Sequence, residues 1–234
     1  MDRRRISGTL LYRRTDGTVT GRELFSVSCH RDGSRTLRAQ CEMDDDGIVR
    51  DCLLAIDAET RPTEAYVRLL ADGTAAGSAL FSIADDAISA VTRDAVGRLD
   101  RHSRTMPETV RFFGTHSLIN DGWLTRLDPG LAIGATAELH DLPACSLAAN
   151  GATPPQIETT TARLTYEGED RVTVPAGRFA AQCYAVGYGD YPPLRAWVVG
   201  PDRLLVRMTW DFLDGVYELT HSDGALSGEP GPCS

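Results

Sequence analysis

The sequence predicts an all-β protein built from antiparallel hairpins. The dipeptide Asp-Gly, a strong signal for a tight hairpin turn, occurs seven times along the 234 residues. Most of these dipeptides separate segments in which apolar and polar residues alternate, as they do in a strand with one buried face. One stretch, residues 111–130, breaks the alternation, with large apolar residues at mixed spacing around His116 and Asp121. We therefore predict a sheet that is interrupted once by a segment of different structure.

The N-terminal part, residues 6–106, is predicted to form a meander of seven or eight strands. Its clearest strand, TLRAQCEM, places four residues on one apolar face, namely Leu37, Ala39, Cys41 and Met43. The neighbouring strands place Cys29 and Cys52 on the same face. Buried cysteine commonly packs as a small apolar side chain, and no histidine shares this face, so we expect no metal site.

The remaining segments follow from composition and turn signals. Residues 107–155 are predicted to be a helical and loop segment, with one or two helical turns between Pro107 and Leu127, because a proline favours the first turn of a helix. The stretch AANGATPP marks the seam before a second meander over residues 156–221, and residues 222–234 are predicted to be a flexible tail. We treat residues 1–234 as a single domain.

Composition excludes several classes of function. The net charge of −9 argues against binding nucleic acid or an anionic membrane. All 24 basic residues are arginines, so Schiff-base chemistry, a P-loop lysine and a Ser-Lys dyad are excluded. The sequence has no glycine-rich dinucleotide motif and no paired-cysteine zinc motif, so no cofactor is expected. The N-terminus lacks the apolar stretch of an export signal, and no membrane span is apparent, so we expect a cytoplasmic protein with thiols.

The C-terminal hairpins predict a row of polar side chains beside an apolar face. A two-residue turn at Pro201-Asp202 would set Trp197 opposite Val206 and Arg195 opposite Met208. A turn at Asp214-Gly215 would set Trp210 opposite Leu219 and Met208 opposite His221. Arg195, Met208 and His221 would then lie in one row at the edge of a face that carries Trp197, Trp210 and Tyr217. The alternative is that Arg195 and His221 reach solvent at strand ends, and a turn of another length would dissolve the row.

The segment VTVPAGRFAAQCYAV and the strand pair LRAWVVGPDRLLVRMTW resemble the closing hairpins of an uncharacterised bacterial β-protein family. The half-barrel of that family is similar to the periplasmic lipoprotein carriers. The resemblance covers about a third of the chain. It implies a strongly curved antiparallel sheet, a half-barrel or barrel, with an apolar concave face that a helical segment covers and that can hold a hydrophobic molecule.

We expect this cavity to bind a hydrophobic small molecule and to catalyse a cofactor-independent acid/base reaction, such as that of a cyclase, isomerase, hydratase or dehydratase. The predicted catalytic residues are His116, Asp121, His221 and Tyr217. The predicted substrate-binding residues are Arg195, Trp197, Trp210, Trp123, Phe113 and Met208. His116 has the alternative of a packing residue and Asp121 that of a turn residue.

Two other functions stay open at this point: a carrier of a lipid-like ligand without chemistry, and a structural or protein-interaction domain with a filled core. The expected partner is the hydrophobic small molecule, not nucleic acid or a membrane. Whether the chain forms a homodimer is left open.

Overall fold

The computed structural model describes residues 4–224. Within them the chain forms one sheet of 14 antiparallel strands and one short α-helix, which confirms the predicted fold class. The first eight strands follow one another as a meander: β1 Arg4–Arg14, β2 Val19–Cys29, β3 Arg35–Met43, β4 Ile48–Ile56, β5 Pro62–Ala71, β6 Thr74–Ile83, β7 Ala87–Asp94 and β8 Leu99–Thr105. After the helix α1 (Leu118–Leu124) come the other six: β9 Thr136–Ala144, β10 Glu158–Val174, β11 Gly177–Tyr188, β12 Leu194–Val199, β13 Leu204–Trp210 and β14 Gly215–Asp223.

The two meanders join where the first and last strands pair. The strand order is β8-β7-β6-β5-β4-β3-β2-β1-β14-β13-β12-β11-β10-β9, so β1 and β14 lie in the middle and β8 and β9 are the two edges. The sheet is not closed. Most of the predicted tail lies outside the described residues, because only positions 222–224 of it are included.

One face of this sheet packs around the segment that connects the two meanders. Alternate residues of β2, β3 and β4 are buried as the sequence pattern predicted. They share a core with apolar residues of the connecting segment, such as Phe112, Phe113 and Ile119. The rings of Phe113 and Phe81 on β6 lie 4.7 Å apart. The connecting segment is therefore held against the inner face of the curved sheet.

The helix has the predicted length of about two turns but begins later, at Leu118 instead of near Pro107. Residues 106–117 are not helical, because their backbone groups bond to other parts of the chain: Val110 donates to the carbonyl of Asp85, and Gly114 forms a parallel bridge with Ala144. A 3-10 turn, Thr125–Leu127, continues α1. Strand β9 also lies in the range where the sequence predicted helix or loop, and it pairs with β10 at the sheet edge.

None of the helices formed by residues 4–224 has the length and apolar character needed to cross a membrane.

Candidate functional site

An open cavity of about 790 Å³ lies at one end of the curved sheet. The ends of β1, β3, β11 and β13 and the starts of β12 and β14 line one side of it, together with their connecting turns. Two parts of the chain cover the other side: residues 112–121, which lead into α1 and form its first turn, and residues 142–150, which are the end of β9 and the loop after it. The cavity therefore separates the middle of the sheet from the segments that lie across it.

Apolar and aromatic side chains form much of the cavity wall. From the sheet come the buried Leu194, Met208 and Trp210, and the covering segments add Phe112, Leu118 and Leu142. At the mouth Phe212 is half exposed, and its ring lies 5.6 Å from that of Trp210. An apolar molecule bound here would remove apolar surface, both its own and that of the cavity wall, from contact with water. This is favourable in proportion to the apolar area buried.

A carboxyl group interrupts the apolar wall where α1 begins. Asp121 lies in the first turn of α1, and its side chain reaches the cavity beside the Tyr188 hydroxyl. Burial raises the pKa of Asp121 to about 7, and the nearby Glu23 carboxylate adds to this rise. Burial, with Asp121 and Asp46 close by, also raises the pKa of Tyr217 to about 12. Near neutral pH Asp121 is thus divided between its acid and base forms, while the phenol of Tyr217 keeps its proton.

Glu23 supports this arrangement from beneath the helix. It lies on β2, is fully buried, and accepts hydrogen bonds from the Ser117 hydroxyl at 2.7 Å and the Leu118 backbone N–H at 2.7 Å. These donors belong to the first turn of α1 and its N-cap, whose backbone N–H groups have no partner within the helix. Burial raises the pKa of Glu23, although these hydrogen bonds oppose the rise. Glu23 therefore determines where α1 begins and, with it, where Asp121 lies.

His116 and Arg50 form the second polar region of the cavity. Arg50 on β4 is buried and donates to the backbone carbonyls of His116, at 2.8 Å, and Asn150. The His116 ring is bonded through Nε2 to the carbonyl of Ser146 at 2.9 Å. Burial and the Arg50 charge lower the pKa of His116 to about 4, so its imidazole is neutral at pH 7. His116 also has a positive φ of 57°, which is uncommon for a residue with a side chain.

The sequence predicted part of this site. His116, Asp121, Tyr217, Trp210 and Met208 all line the cavity. Phe113 and Trp123 do not, because both are buried in the core behind it, where the Arg126 guanidinium lies 5.0 Å from the centre of the Trp123 ring.

The predicted positions of Arg195, Trp197 and His221 are wrong. Arg195 and Trp197 are on the outer face, where Arg195 pairs with Glu167 at 3.0 Å and the Trp197 indole donates to Asp170 at 2.9 Å. His221 is 67% exposed beside Asp223. The row of Arg195, Met208 and His221 does not form.

Two features of the hairpins explain the error. In the first hairpin, Val199 pairs with Leu204 as the sequence predicted, but a bulge after Trp197 shifts the register, so Trp197 lies opposite Arg207 and Arg195 opposite Thr209. In the second, a 3-10 turn of residues 211–213 replaces the two-residue turn, so Met208 pairs with Tyr217. His221 lies opposite Thr9 on β1 instead.

Three residues of the site were missed: Glu23, Arg50 and Tyr188. Two of them carried a visible signal. Glu23 stands in the buried phase of its strand, two positions before Phe25, and Arg50 stands two positions before Cys52. A charged residue in the apolar phase of an alternating strand is costly to bury unless it has partners, so it indicates a polar site under the sheet. Tyr188 had no such signal.

Within the described part of the chain, residues 4–224, no group of three or more His, Cys, Asp or Glu side chains is arranged to hold a metal ion.

No protein-family model matches the sequence, and no curated protein matches it significantly. Similarity appears among solved structures. The structure is similar to a beta-barrel-like protein of the domain of unknown function DUF1849 from Brucella abortus, with a TM-score of 0.53 and 11% identity over 95% of this chain and 97% of that one. It is also similar to a DUF1089 family protein from Pseudomonas aeruginosa, with a TM-score of 0.46 and 14% identity over 79% of this chain and 86% of that one.

At the level of fold, the first of these neighbours agrees with the resemblance to bacterial β-proteins. The first neighbour is a bacterial protein of unknown function, and the chain shares its barrel-like fold.

Proposed function

We propose that this protein binds a small, largely apolar molecule in the cavity and that Asp121 transfers a proton to or from it. The observation that carries the proposal is a carboxyl group with a pKa of about 7 in the mostly apolar wall of an open cavity. A general acid or base works best when its pKa is close to the working pH. The reaction class is an acid/base conversion without a cofactor.

Size and wall chemistry support the binding half of the proposal. The volume of about 790 Å³ lies within the range of roughly 300 to 1,000 Å³ that is typical of small-molecule sites. Such sites combine apolar and aromatic walls with a few polar groups, as this cavity does with Trp210, Met208 and Asp121. The cavity speaks against the alternative of a structural domain with a filled core.

Binding is tested with Nile red, a neutral apolar dye that fluoresces when it leaves water. We expect saturable fluorescence with the unmodified protein and at least a tenfold weaker signal with Ala148→Trp, which places an indole in the cavity from the covering loop. Ala152→Trp is the matched control, because Ala152 is half-buried in the same loop but does not line the cavity. Equal dye binding by all three proteins would overturn the binding proposal.

The position of Asp121 supports the catalytic half. An ionised carboxylate in an apolar wall is a stronger base than one in water, because its charge is poorly solvated there. The Tyr188 hydroxyl donates its hydrogen bond to the Asp121 carboxylate and holds it in place. Asp121 would thus move the proton while Tyr188 positions it.

A chromogenic probe tests proton abstraction without knowledge of the natural substrate. When a base takes the C–H proton of 5-nitrobenzisoxazole, the ring N–O bond breaks and a coloured nitrile phenolate forms. We expect a saturable rate that rises with pH through about 7, as Asp121 ionises, and then levels off. Asp121→Asn should lower this rate at least tenfold, while Asp211→Asn, an exposed carboxylate outside the cavity, should leave it unchanged.

The carrier alternative has its own outcome in these two experiments. Nile red binding that is blocked by Ala148→Trp, together with a probe rate that is the same in Asp121→Asn, would identify a binding protein without this chemistry. Such a result would place the chain with carriers of lipid-like ligands, as the sequence resemblance implied.

A further inference from the structure

The cationic side chains that line the cavity each lie beside a protein group of opposite charge or a backbone carbonyl. Arg14 pairs with Asp45 at 2.6 Å, and Arg13 lies 4.0 Å from Glu218. The terminal nitrogens of Arg50 donate to two backbone carbonyls, and its remaining Nε is buried away from the cavity surface. The charges of Arg13 and Arg14 are thus balanced by neighbouring carboxylates, which weakens their attraction for an anionic ligand.

His116 instead offers a free hydrogen-bond acceptor. A backbone carbonyl can only accept, so the 2.9 Å contact with Ser146 requires that Nε2 carries the ring proton. In a neutral imidazole the other nitrogen, Nδ1, is then an unprotonated acceptor. Nδ1 has no hydrogen-bond partner among the described residues, and the half-buried ring lines the cavity.

The protein holds this ring in one orientation. Gly151 lies against it so closely that a Cβ atom there would come within 2.6 Å of the ring carbon Cγ and 2.7 Å of an Arg50 nitrogen. Gly151 has a φ of +63°, and the loop that contains it is tied to Arg50 through the carbonyl of Asn150. A neutral acceptor with a fixed direction is thus built into the cavity between β4 and the covering loop.

The charges around His116 limit which kinds of ligand group can donate a hydrogen bond to its Nδ1. The buried guanidinium of Arg50 is close enough to lower the pKa of His116, so it would also repel an ammonium group that approached the ring. An anion would meet the lone pair of Nδ1 and would find no proton there to receive. A neutral O–H group avoids both costs, because it donates to Nδ1 without bringing a charge into the cavity.

We infer that the ligand of this cavity is a neutral, hydroxyl-bearing apolar molecule and that Nδ1 of His116 accepts a hydrogen bond from its hydroxyl group. This inference rests on the proposed binding function and specifies the class of molecule bound. The apolar body of the ligand would lie against Trp210, Met208 and Phe112. Asp121 and Tyr188 face the same cavity as the bound molecule.

Competition against Nile red tests the inference with three molecules of matched length. At pH 7.5 these are 1-octanol, its isomer 1-methoxyheptane, which has no O–H donor, and octanoate, which is an anion. We expect octanol to displace the dye at concentrations at least tenfold lower than either of the others. Displacement by the ether or by octanoate at concentrations equal to or below those of octanol, or no displacement by octanol, would overturn the inference. Absence of dye binding would instead count against the proposed function.

A substitution assigns the preference to His116. His116→Phe keeps an aromatic ring and removes Nδ1, and it should weaken octanol binding at least fivefold. Nile red has no hydrogen-bond donor, so its affinity should stay the same. His140→Phe, at an exposed position on β9, is the matched control and should bind octanol as the unmodified protein does. Unchanged octanol affinity in a folded His116→Phe would overturn the role of His116, and if that variant does not fold, the three-ligand series on the unmodified protein still decides the ligand class.

Discussion

At the scale of single residues, the site depends on polar groups that the fold keeps away from bulk water. Asp121 and His116 both line a cavity yet are surrounded by protein, and burial shifts their pKa values in opposite directions, up for the acid and down for the base. Each shift favours the neutral form. The cavity therefore presents an acid and an imidazole that are both largely uncharged just below neutral pH.

The raised pKa of Asp121 predicts how stability changes with pH. The unfolded chain releases this proton near pH 4 and the folded chain near pH 7, so the folded state binds more protons in between and its stability falls as pH rises through that window. Asp121→Asn removes the effect. We expect its free energy of unfolding, relative to the unmodified protein, to rise by about 4 kcal/mol between pH 4 and pH 8 and to stay constant above that. Urea unfolding at several pH values measures it, and a pH-independent difference would contradict the assignment.

Glu23 provides a second prediction at this scale. Glu23→Gln keeps the shape of the side chain but replaces one accepting oxygen with an NH₂ group, which cannot accept from Ser117 or the first backbone N–H groups of α1. We expect a loss of about 2 kcal/mol in the free energy of unfolding, the cost of leaving buried donors without partners. Glu64→Gln, an exposed residue on β5, is the control and should change stability little. Equal stability of the two variants would show that Glu23 does not cap the helix.

At the scale of elements, the helix α1 is positioned by contact with the sheet. Six of its seven residues are buried, and its glycine faces β13. A Cβ at Gly122 would lie 2.9 Å from the carbonyl oxygen of Arg203 and 3.2 Å from the Leu205 Cβ. The residue thus allows the helix backbone to approach the strand. That approach fixes the distance between α1 and β13.

This close contact predicts the effect of adding one methyl group. Gly122→Ala should lower the free energy of unfolding by about 2 kcal/mol, although alanine favours helices, because the new methyl group has no space. Gly187→Ala on β11 is the control, since the nearest atom there is the end of an arginine side chain at 3.8 Å. Thermal unfolding compares the two, and a Gly122→Ala protein as stable as the control would contradict the packing.

At the scale of the whole molecule, a few buried polar contacts attach the two covering segments, residues 112–121 and 142–150, to the sheet. Arg50 on β4 is the clearest, because its guanidinium bonds to one carbonyl in each covering segment, at His116 and at Asn150.

The two edge strands of the sheet are β8 and β9, at the two ends of the strand order. Every residue of β8 except the half-buried His102 is exposed, and the strand carries several charged side chains that oppose pairing with another sheet.

Removal of the Arg50 hydrogen bonds should loosen the two covering segments without unfolding the sheet. In Arg50→Met we expect backbone amides in residues 112–117 and 146–151 to exchange with deuterium at least tenfold faster, while those of β6 and β7 stay protected. Stability should fall by about 3 kcal/mol. Arg68→Met, which removes an exposed pair with Asp51 on the outer face, is the control. Faster exchange throughout the sheet would indicate global destabilisation and contradict a local tether.

Alternation along the chain was sufficient to predict the sheet. The inward positions of β2 to β4, from Phe25 to Ile56, follow the sequence pattern, because strand side chains alternate strictly and burial selects one face. The eight-strand N-terminal meander and the interruption near Phe112 were predictable for the same reason. His116, Asp121 and Tyr217 were also found as site candidates from their chemistry and position.

Only the tertiary structure decided what faces the cavity. A single bulge after Trp197 turned Arg195 outward, and a 3-10 turn at residues 211–213 moved His221 away from Met208. Such local shifts depend on small energy differences that hydrophobic alternation does not encode. The start of α1 depends on Glu23, which is 94 residues away from Ser117 in the chain. The sequence by itself determined the sheet and its interruption, whereas contacts between distant strands determined the site, because hydrogen-bond register and buried polar pairing are settled only when the strands meet.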